Sequence, residues 1–278
     1  MVVLCLRLRL TAALAIFLLC GFSSVWCQRN RIQDDLNSEF KGKTLLLRNF
    51  YSGNELSYDQ DGVVLGDPKP GSWTLANMEI TKVAVTGDGI EIVGNRMGTW
   101  YRDGKPKVLR VGKLKIHVSK PISDVDTLAT LHPILDKMFL AAGDNLGSMV
   151  PDYWQVYLAG NDSKSRLAVW QAKMQRENKP IFNKSDAGAV TAPRVISTPD
   201  PGYTTEAASN HIEGISFLGI VVDTAGTPTN VAVLQPLGMG LDEQAVLAVK
   251  RWKFQPGMKS GEAVPVQINV EINFRCCP

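Results

Sequence analysis

Between residues 43 and 118 apolar and polar positions follow one another in short runs: Thr44–Phe50, Gly62–Leu65, Trp73–Thr86, Gly89–Val93, Gly98–Tyr101 and Val108–Val118. Several alternate strictly, as in Leu114-Lys115-Ile116-His117-Val118, which is the period of a strand with one buried face. Ser52-Gly53-Asn54, Asp61-Gly62, Gly66-Asp67-Pro68, Gly87-Asp88-Gly89 and Asp103-Gly104 separate the runs with turn chemistry. Short strands at this spacing predict a small antiparallel barrel or sandwich over residues 28–122. The period then changes. Val125, Leu128, Leu131, Ile134, Leu135, Met138 and Phe139 recur at intervals of three and four, the pattern of an amphipathic helix, with Pro133 as its point of division. Pro151–Leu158 and Ser163–Gln175 read as further short helices, so residues 123–175 form a helical segment. Residues 176–191 are polar and weakly patterned and read as a linker.

The C-terminal stretch, residues 192–275, has the clearest grammar. Thr204–His211 is a short helix and Glu213–Asp223 alternates as a strand. Thr224-Ala225-Gly226-Thr227 supplies a hairpin turn, with Gly where φ must be positive. Asn230–Gln235 is the return strand. Leu241–Lys253 is a helix with Leu241, Ala245, Ala248, Val249 and Trp252 on one face. Asp242 and Glu243 in its first turn and Lys250, Arg251 and Lys253 in its last suit the helix dipole. Pro256-Gly257 stops it. Val264–Phe274 then alternates without a break, placing Gln267, Asn269, Glu271 and Asn273 opposite Val266, Ile268, Val270, Ile272 and Phe274. The predicted order is strand, strand, helix, strand, and the fold class is mixed α+β.

Composition narrows the options. The chain has 278 residues, 45% hydrophobic and 21% charged, as expected of a folded chain rather than a disordered one. Its formal charge is +3, and Arg7 and Arg9 near the N-terminus supply two of those positive charges. The remainder is close to neutral, which argues against a nucleic-acid surface. Residues 1–27 have the layout of an export segment: Arg7 and Arg9, then an apolar run from Leu10 to Phe22, then Ser23-Ser24-Val25-Trp26-Cys27. This is a signal peptide cut before Gln28, or an uncleaved membrane anchor over residues 10–27. Outside it the cysteines are Cys276 and Cys277, adjacent and without metal-ligand spacing. They read as exposed thiols or as a vicinal or intermolecular disulfide.

Catalytic chemistry finds little support. The histidines, His117, His132 and His211, are isolated and match no zinc or triad motif. Gly87-Asp88-Gly89 is followed by no helix, so it is no phosphate loop. Asp59 and Asp61 beside Gly62 resemble the start of a calcium loop without its later acidic ligand. Trp73, Trp100 and Tyr101 could sit at a barrel mouth and hold an apolar ligand, or simply be core. No cofactor is expected, and the chain reads as no enzyme.

Residues 192–275 carry a further signal. In order they show Pro201-Gly202-Tyr203, Glu213-Gly214, Val221-Val222-Asp223-Thr224-Ala225-Gly226, Leu237-Gly238-Met239-Gly240-Leu241-Asp242-Glu243-Gln244-Ala245, Arg251-Trp252-Lys253-Phe254-Gln255-Pro256-Gly257 and Val264-Pro265-Val266. This series resembles the C-terminal domain of the TonB family of bacterial envelope proteins. The resemblance implies a periplasmic protein that binds an outer-membrane receptor or another envelope protein through its last strand, in support of transmembrane transport. On that reading the partner-binding edge is Val266, Gln267, Ile268, Asn269, Val270 and Glu271, and a homodimer is a further option. The N-terminal part departs from the family: residues 1–27 hold no His to couple to a proton-driven motor, and a β-rich region stands in place of a Pro-rich spacer. The alternative is a secreted periplasmic binding protein whose β-rich part holds a small apolar ligand, with no energy transduction. Inner-membrane attachment belongs to the first reading alone, and only with an uncleaved leader.

Overall fold

The computed structural model describes residues 29–121, 128–141, 144–176, 182–183 and 190–276. The leader and Cys277 lie outside these residues, so the cleavage, anchoring and disulfide expectations do too.

A helix over residues 29–40 (α1) opens the described chain. It was not among the predicted elements, although Ile32, Leu36 and Phe40 recur at the helical interval of four. Ile32 and Leu36 are buried and make α1 part of the core. Next come β1 (Thr44–Leu46), β2 (Glu55–Tyr58), β3 (Val64–Leu65), β4 (Asn77–Val85), β5 (Ile90–Arg102) and β6 (Lys105–Val118). The two predicted runs Gly89–Val93 and Gly98–Tyr101 are one strand, β5, which continues through Gly94. Gly94 abuts the Glu79 carbonyl and Met78, leaving no room for a Cβ, so a glycine that reads as a break is a packing requirement.

These strands form one six-stranded sheet in the order β1-β4-β5-β6-β2-β3, antiparallel except where β2 runs parallel to β6. The predicted closed barrel or sandwich is corrected here: the sheet is an open half-barrel, because β1 and β3 stand at opposite ends and do not pair. Its core holds Met78, Ile80, Ile92, Leu114 and Ile116 with Ile32 and Leu36 of α1 and Leu131 and Met138 of the next helical stretch. A helix inserted over one face replaces the second sheet that a sandwich would need.

The helical segment follows as α2 (His132–Met138), α3 (Asp152–Ala159) and α4 (Ser163–Arg176). Pro133 lies in the first turn of α2, where its missing N–H costs nothing. Then come β7 (Phe182–Asn183), β8 (Arg194–Ser197), α5 (Thr205–Ser209), β9 (Gly214–Val222), β10 (Pro228–Gln235), α6 (Leu241–Val249), β11 (Lys253–Gln255), β12 (Gly257–Lys259), β13 (Glu262–Val264) and β14 (Val266–Phe274). The second sheet has the order β10-β9-β14-β7. Its core β9-β10-α6-β14 is the predicted strand, strand, helix, strand. At the hairpin, Gly226 has φ +75° and its Cα faces the Phe254 carbonyl so closely that only a glycine fits. The Asp223 carboxylate accepts from the N–H groups of Ala225 and Thr227 and fixes the turn.

Helices cover both faces of this sheet. Leu218, Ile220, Val222 and Val233 pack with Leu241, Ala245 and Val249 of α6 in the main core. On the other face Val221, Ala232 and Leu234 pack with Val156 of α3 and Trp170 and Met174 of α4. Gly219 lies flat under the Trp170 ring, where a Cβ would collide with it.

Candidate functional site

The last strand carries the expected partner site, and its surroundings fix what it can do. β14 pairs antiparallel with β9 along its whole length, from Val266↔Val222 to Phe274↔Gly214. On its other side, among the described residues, β7 pairs with it at Val266↔Phe182 and Gln267↔Asn183. The Phe182 N–H donates to the Pro265 carbonyl at 3.1 Å. A strand's main-chain groups alternate in direction, so those of Gln267, Asn269, Glu271 and Asn273 point outward, and those of Val266, Ile268, Val270 and Ile272 point to β9. Val266, Ile272 and Phe274 are buried, Ile268 and Val270 half-buried, and Asn269, Glu271 and Asn273 exposed. The alternation read from the sequence is therefore the alternation in space. Gln267 is the exception, 9% exposed beside β7.

The sheet's opposite edge, β10, is treated differently. The Trp170 indole N–H donates to the Asn230 carbonyl at 3.1 Å, and the Arg166 guanidinium reaches the Leu234 carbonyl at 3.4 Å while stacking over Tyr157. Side chains of α4 thus satisfy acceptors that a partner strand would otherwise use.

The turn into α6 is the second built feature. Gly238 (φ +87°) and Gly240 (φ +74°) flank Met239 (φ +56°), a run of left-handed conformations that glycine makes affordable. This loop docks on β5 beyond the reach of β4. The Tyr101 N–H donates to the Leu237 carbonyl and the Met239 N–H to the Thr99 carbonyl, both at 2.9 Å. The Gly240 N–H donates to Thr74 Oγ1 at 3.1 Å. Met239 is buried against Gly98, and a Cβ at Gly238 would overlap the Thr99 carbonyl oxygen. The two sheets are therefore joined through main-chain hydrogen bonds.

Asp242 anchors the loop from below. It is fully buried and accepts from Ser216 Oγ (2.6 Å), the Leu237 N–H (2.9 Å) and the Gly238 N–H (2.7 Å). Burial and the neighbouring Glu243 push its pKa up to about 7, against the pull of those donors. Glu243 accepts from the Trp154 indole N–H at 3.0 Å, and burial raises its carboxyl as well. The sequence places both acids in the first turn of the helix, where they suit its dipole; in the fold they are also enclosed at the seam.

Other sequence candidates have structural places. Trp73 packs edge-on to Trp154 with ring centroids 5.4 Å apart, and Tyr101 meets Tyr157 at 5.8 Å. These aromatic residues line the seam rather than a barrel mouth. Trp100 stacks with Arg102 and borders a surface groove with Ile215 and Leu237. Asp59 accepts from the N–H groups of Asp61 and Val63, so it builds a turn. His117 lies 3.8 Å from Asp88, His132 3.1 Å from Glu39, and His211 Nδ1 3.7 Å from Cys276 Sγ. Among the described residues no group of three or more His, Cys, Asp or Glu could hold a metal ion. No helix among them is long and apolar enough to cross a membrane.

A four-stranded sheet covered by helices on both faces defines the class: a compact module of the α+β type. Comparison with known proteins gives the family of that module. Residues 199–276 match the family described as Gram-negative bacterial TonB protein C-terminal. Protein tonB2 of Pseudomonas aeruginosa is 33% identical over 81 residues, covering 29% of this chain and 30% of the relative. The chain thus spans less than a third of that relative's length. The solution NMR structure of the Pseudomonas aeruginosa TonB C-terminal domain aligns over 36% of this chain and 99% of its own, at 17% identity and a TM-score of 0.27. Residues 199–276 are a TonB C-terminal domain, and the half-barrel and helical segment lie outside the family match.

Proposed function

We propose that the protein is an adaptor of the bacterial envelope, acting in the periplasm, that takes up an extended segment of an outer-membrane receptor or another envelope protein by strand addition to β14. The observation that carries this reading is the one-sided pairing of β14: nine residues paired with β9, with the outer side occupied, among the described residues, at Val266 and Gln267 alone. Main-chain bonds to Asn269, Glu271 and Asn273 supply affinity, and the alternating side chains of the incoming strand supply register and choice. On this reading the site runs from Asn269 to Phe274, further along the strand than the expected Val266–Glu271. Support for transmembrane transport follows from the family and would require attachment of the chain to the inner membrane.

The test is an amide chemical-shift titration of the full chain with synthetic peptides copying the periplasmic N-terminal segments of outer-membrane receptors. Saturable shifts confined to β14 from Asn269 to Phe274 are expected. Shifts that map to the groove beside Trp100, or none at peptide concentrations up to millimolar, would remove strand addition as the mode of binding.

A further inference from the structure

The short strand β7 sits on the edge that the proposed function assigns to a partner, and the inference drawn from it rests on that reading. Its placement is built from three observations. Phe182 and Asn183 pair in parallel register with Val266 and Gln267. The Phe182 N–H donates to the Pro265 carbonyl at 3.1 Å, and the register turns the Gln267 N–H toward the Phe182 carbonyl. The Phe182 ring lies under Lys259 Nζ, 4.3 Å from its centroid, which ties β7 to the β12–β13 hairpin. Downstream, Val190 bridges Lys259 and the Thr191 N–H donates to the Met258 carbonyl at 2.8 Å, so the chain is held to the same hairpin on both sides.

We infer that Phe182–Asn183 is an intramolecular occupant of the partner-binding edge, which sets the start of any added strand at Asn269 and competes with a partner that extends to Gln267. The strand-addition site is thereby regulated from within the chain. A partner pairing only from Asn269 onward binds beside the strap. A longer partner binds only as the strap is released. A two-residue parallel ladder is the kind of contact that opens easily, since parallel pairing is the weaker type and few bonds hold it. Pro265 reinforces the boundary: it has no N–H, so the outward edge offers only an acceptor there, and Phe182 fills it.

The experiment compares the full chain with Phe182→Pro, which removes the donor to Pro265, and Phe182→Ala, which keeps the donor and removes the ring beneath Lys259. Amide exchange is read at Gln267, Asn269, Glu271 and Asn273. A synthetic peptide copying residues 178–187 serves as the probe. In the unsubstituted chain Gln267 is expected to exchange at least tenfold more slowly than Asn269, and in Phe182→Pro to lose that protection, with Phe182→Ala between them. The probe is expected to bind Phe182→Pro at least tenfold more tightly than the unsubstituted chain, restoring protection at Gln267. Equal exchange at Gln267 in both proteins, or equal affinity of the probe for both, would overturn the inference. Exchange at Gln267 reports the strap whether or not a receptor peptide binds. Failure of the strap and failure of strand addition by a partner are therefore read separately.

Discussion

The two sheets of this protein handle their edges differently. In the N-terminal half-barrel, the lengths of β4 and β5 that lack a neighbouring strand are closed by groups from far along the chain. β4 outlasts β1 beyond Glu79, and α1 covers the remainder. Gln33 Oε1 accepts from the Val85 N–H and its Nε2 donates to the Val83 carbonyl, Asn37 Oδ1 accepts from the Val83 N–H, and Arg29 donates to the Val85 carbonyl. β5 outlasts β4 beyond Met97, and there Leu237–Met239 supplies the missing pairings. In the C-terminal sheet β10 is capped by Trp170 and Arg166, but among the described residues nothing pairs with the outer side of β14 from Asn269 onward. An unpaired strand edge is a liability that proteins ordinarily cover. In this chain lengths of β4, β5 and β10 are covered by other groups, whereas among the described residues β14 from Asn269 and β6 from Lys105 to Lys113 have a strand on one side only.

The largest expected effect comes from breaking the seam that joins the sheets. Gly238→Val puts a Cβ into the Thr99 carbonyl oxygen at φ +87°, and a cost of about 3–5 kcal/mol is expected. Urea unfolding should show the midpoint fall sharply; an unmoved midpoint would mean that the loop is not a structural joint. Next are paired proline substitutions that separate the two sides of β14. Ile268→Pro removes a bond to β9 and should cost about 3 kcal/mol or more. Asn269→Pro removes only an outward N–H and should stay within about 1 kcal/mol while abolishing peptide binding. Equal destabilisation by both would contradict the assignment of inward and outward groups.

Smaller effects test the sealed edges and the buried acid. Replacing both Gln33 and Asn37 by Ala uncovers main-chain groups of Val83 and Val85, at about 1–3 kcal/mol in total. The freed edge should also promote self-association, visible in sedimentation velocity; a variant that stays monomeric at full stability would show that the amides seal nothing. The pH response follows from Asp242. Its folded pKa is raised to about 7 from the ordinary carboxyl range, so the folded state holds this proton more tightly than the unfolded chain. Its contribution is complete below about pH 4 and is lost as pH rises through about 7. Stability measured by chemical denaturation should therefore decline between pH 5 and 8, and Asp242→Asn should flatten that decline. An unchanged slope in the variant would assign the dependence to other groups.

Much of the C-terminal domain was legible because its signals are local. The alternation of Val266, Ile268, Val270, Ile272 and Phe274 requires only a period of two, and Asp223 to Gly226 requires only turn chemistry. The α6 frame, from Leu241 to Val249, requires only a period near four. The same locality explains the misses. Helix α1 follows the leader closely, and its interval of Ile32, Leu36 and Phe40 went unread beside the apolar run. The barrel expectation failed because closure is not a property of strand length or spacing: it depends on whether the end strands meet, and here β1 and β3 do not pair. Asp242 and Glu243 satisfied a local rule, acids in the first turn of a helix, that says nothing about solvent access.

The sequence by itself determined the periods, the turns and the family series running from Pro201 to Val266, whereas the helix expected to run to Lys253 ends at Val249 and Lys253–Gln255 is a strand. Tertiary structure alone decided which strand edges are closed. Gln33 and Asn37 reach β4 from about 50 positions away, and Thr74 receives the Gly240 N–H across 166 positions. Local pattern is set by steric and hydrophobic preferences within a few residues. Edge exposure is set by main-chain hydrogen-bond partners brought together only when the whole chain packs, and β14 acquires its open side, and its strap, at that stage.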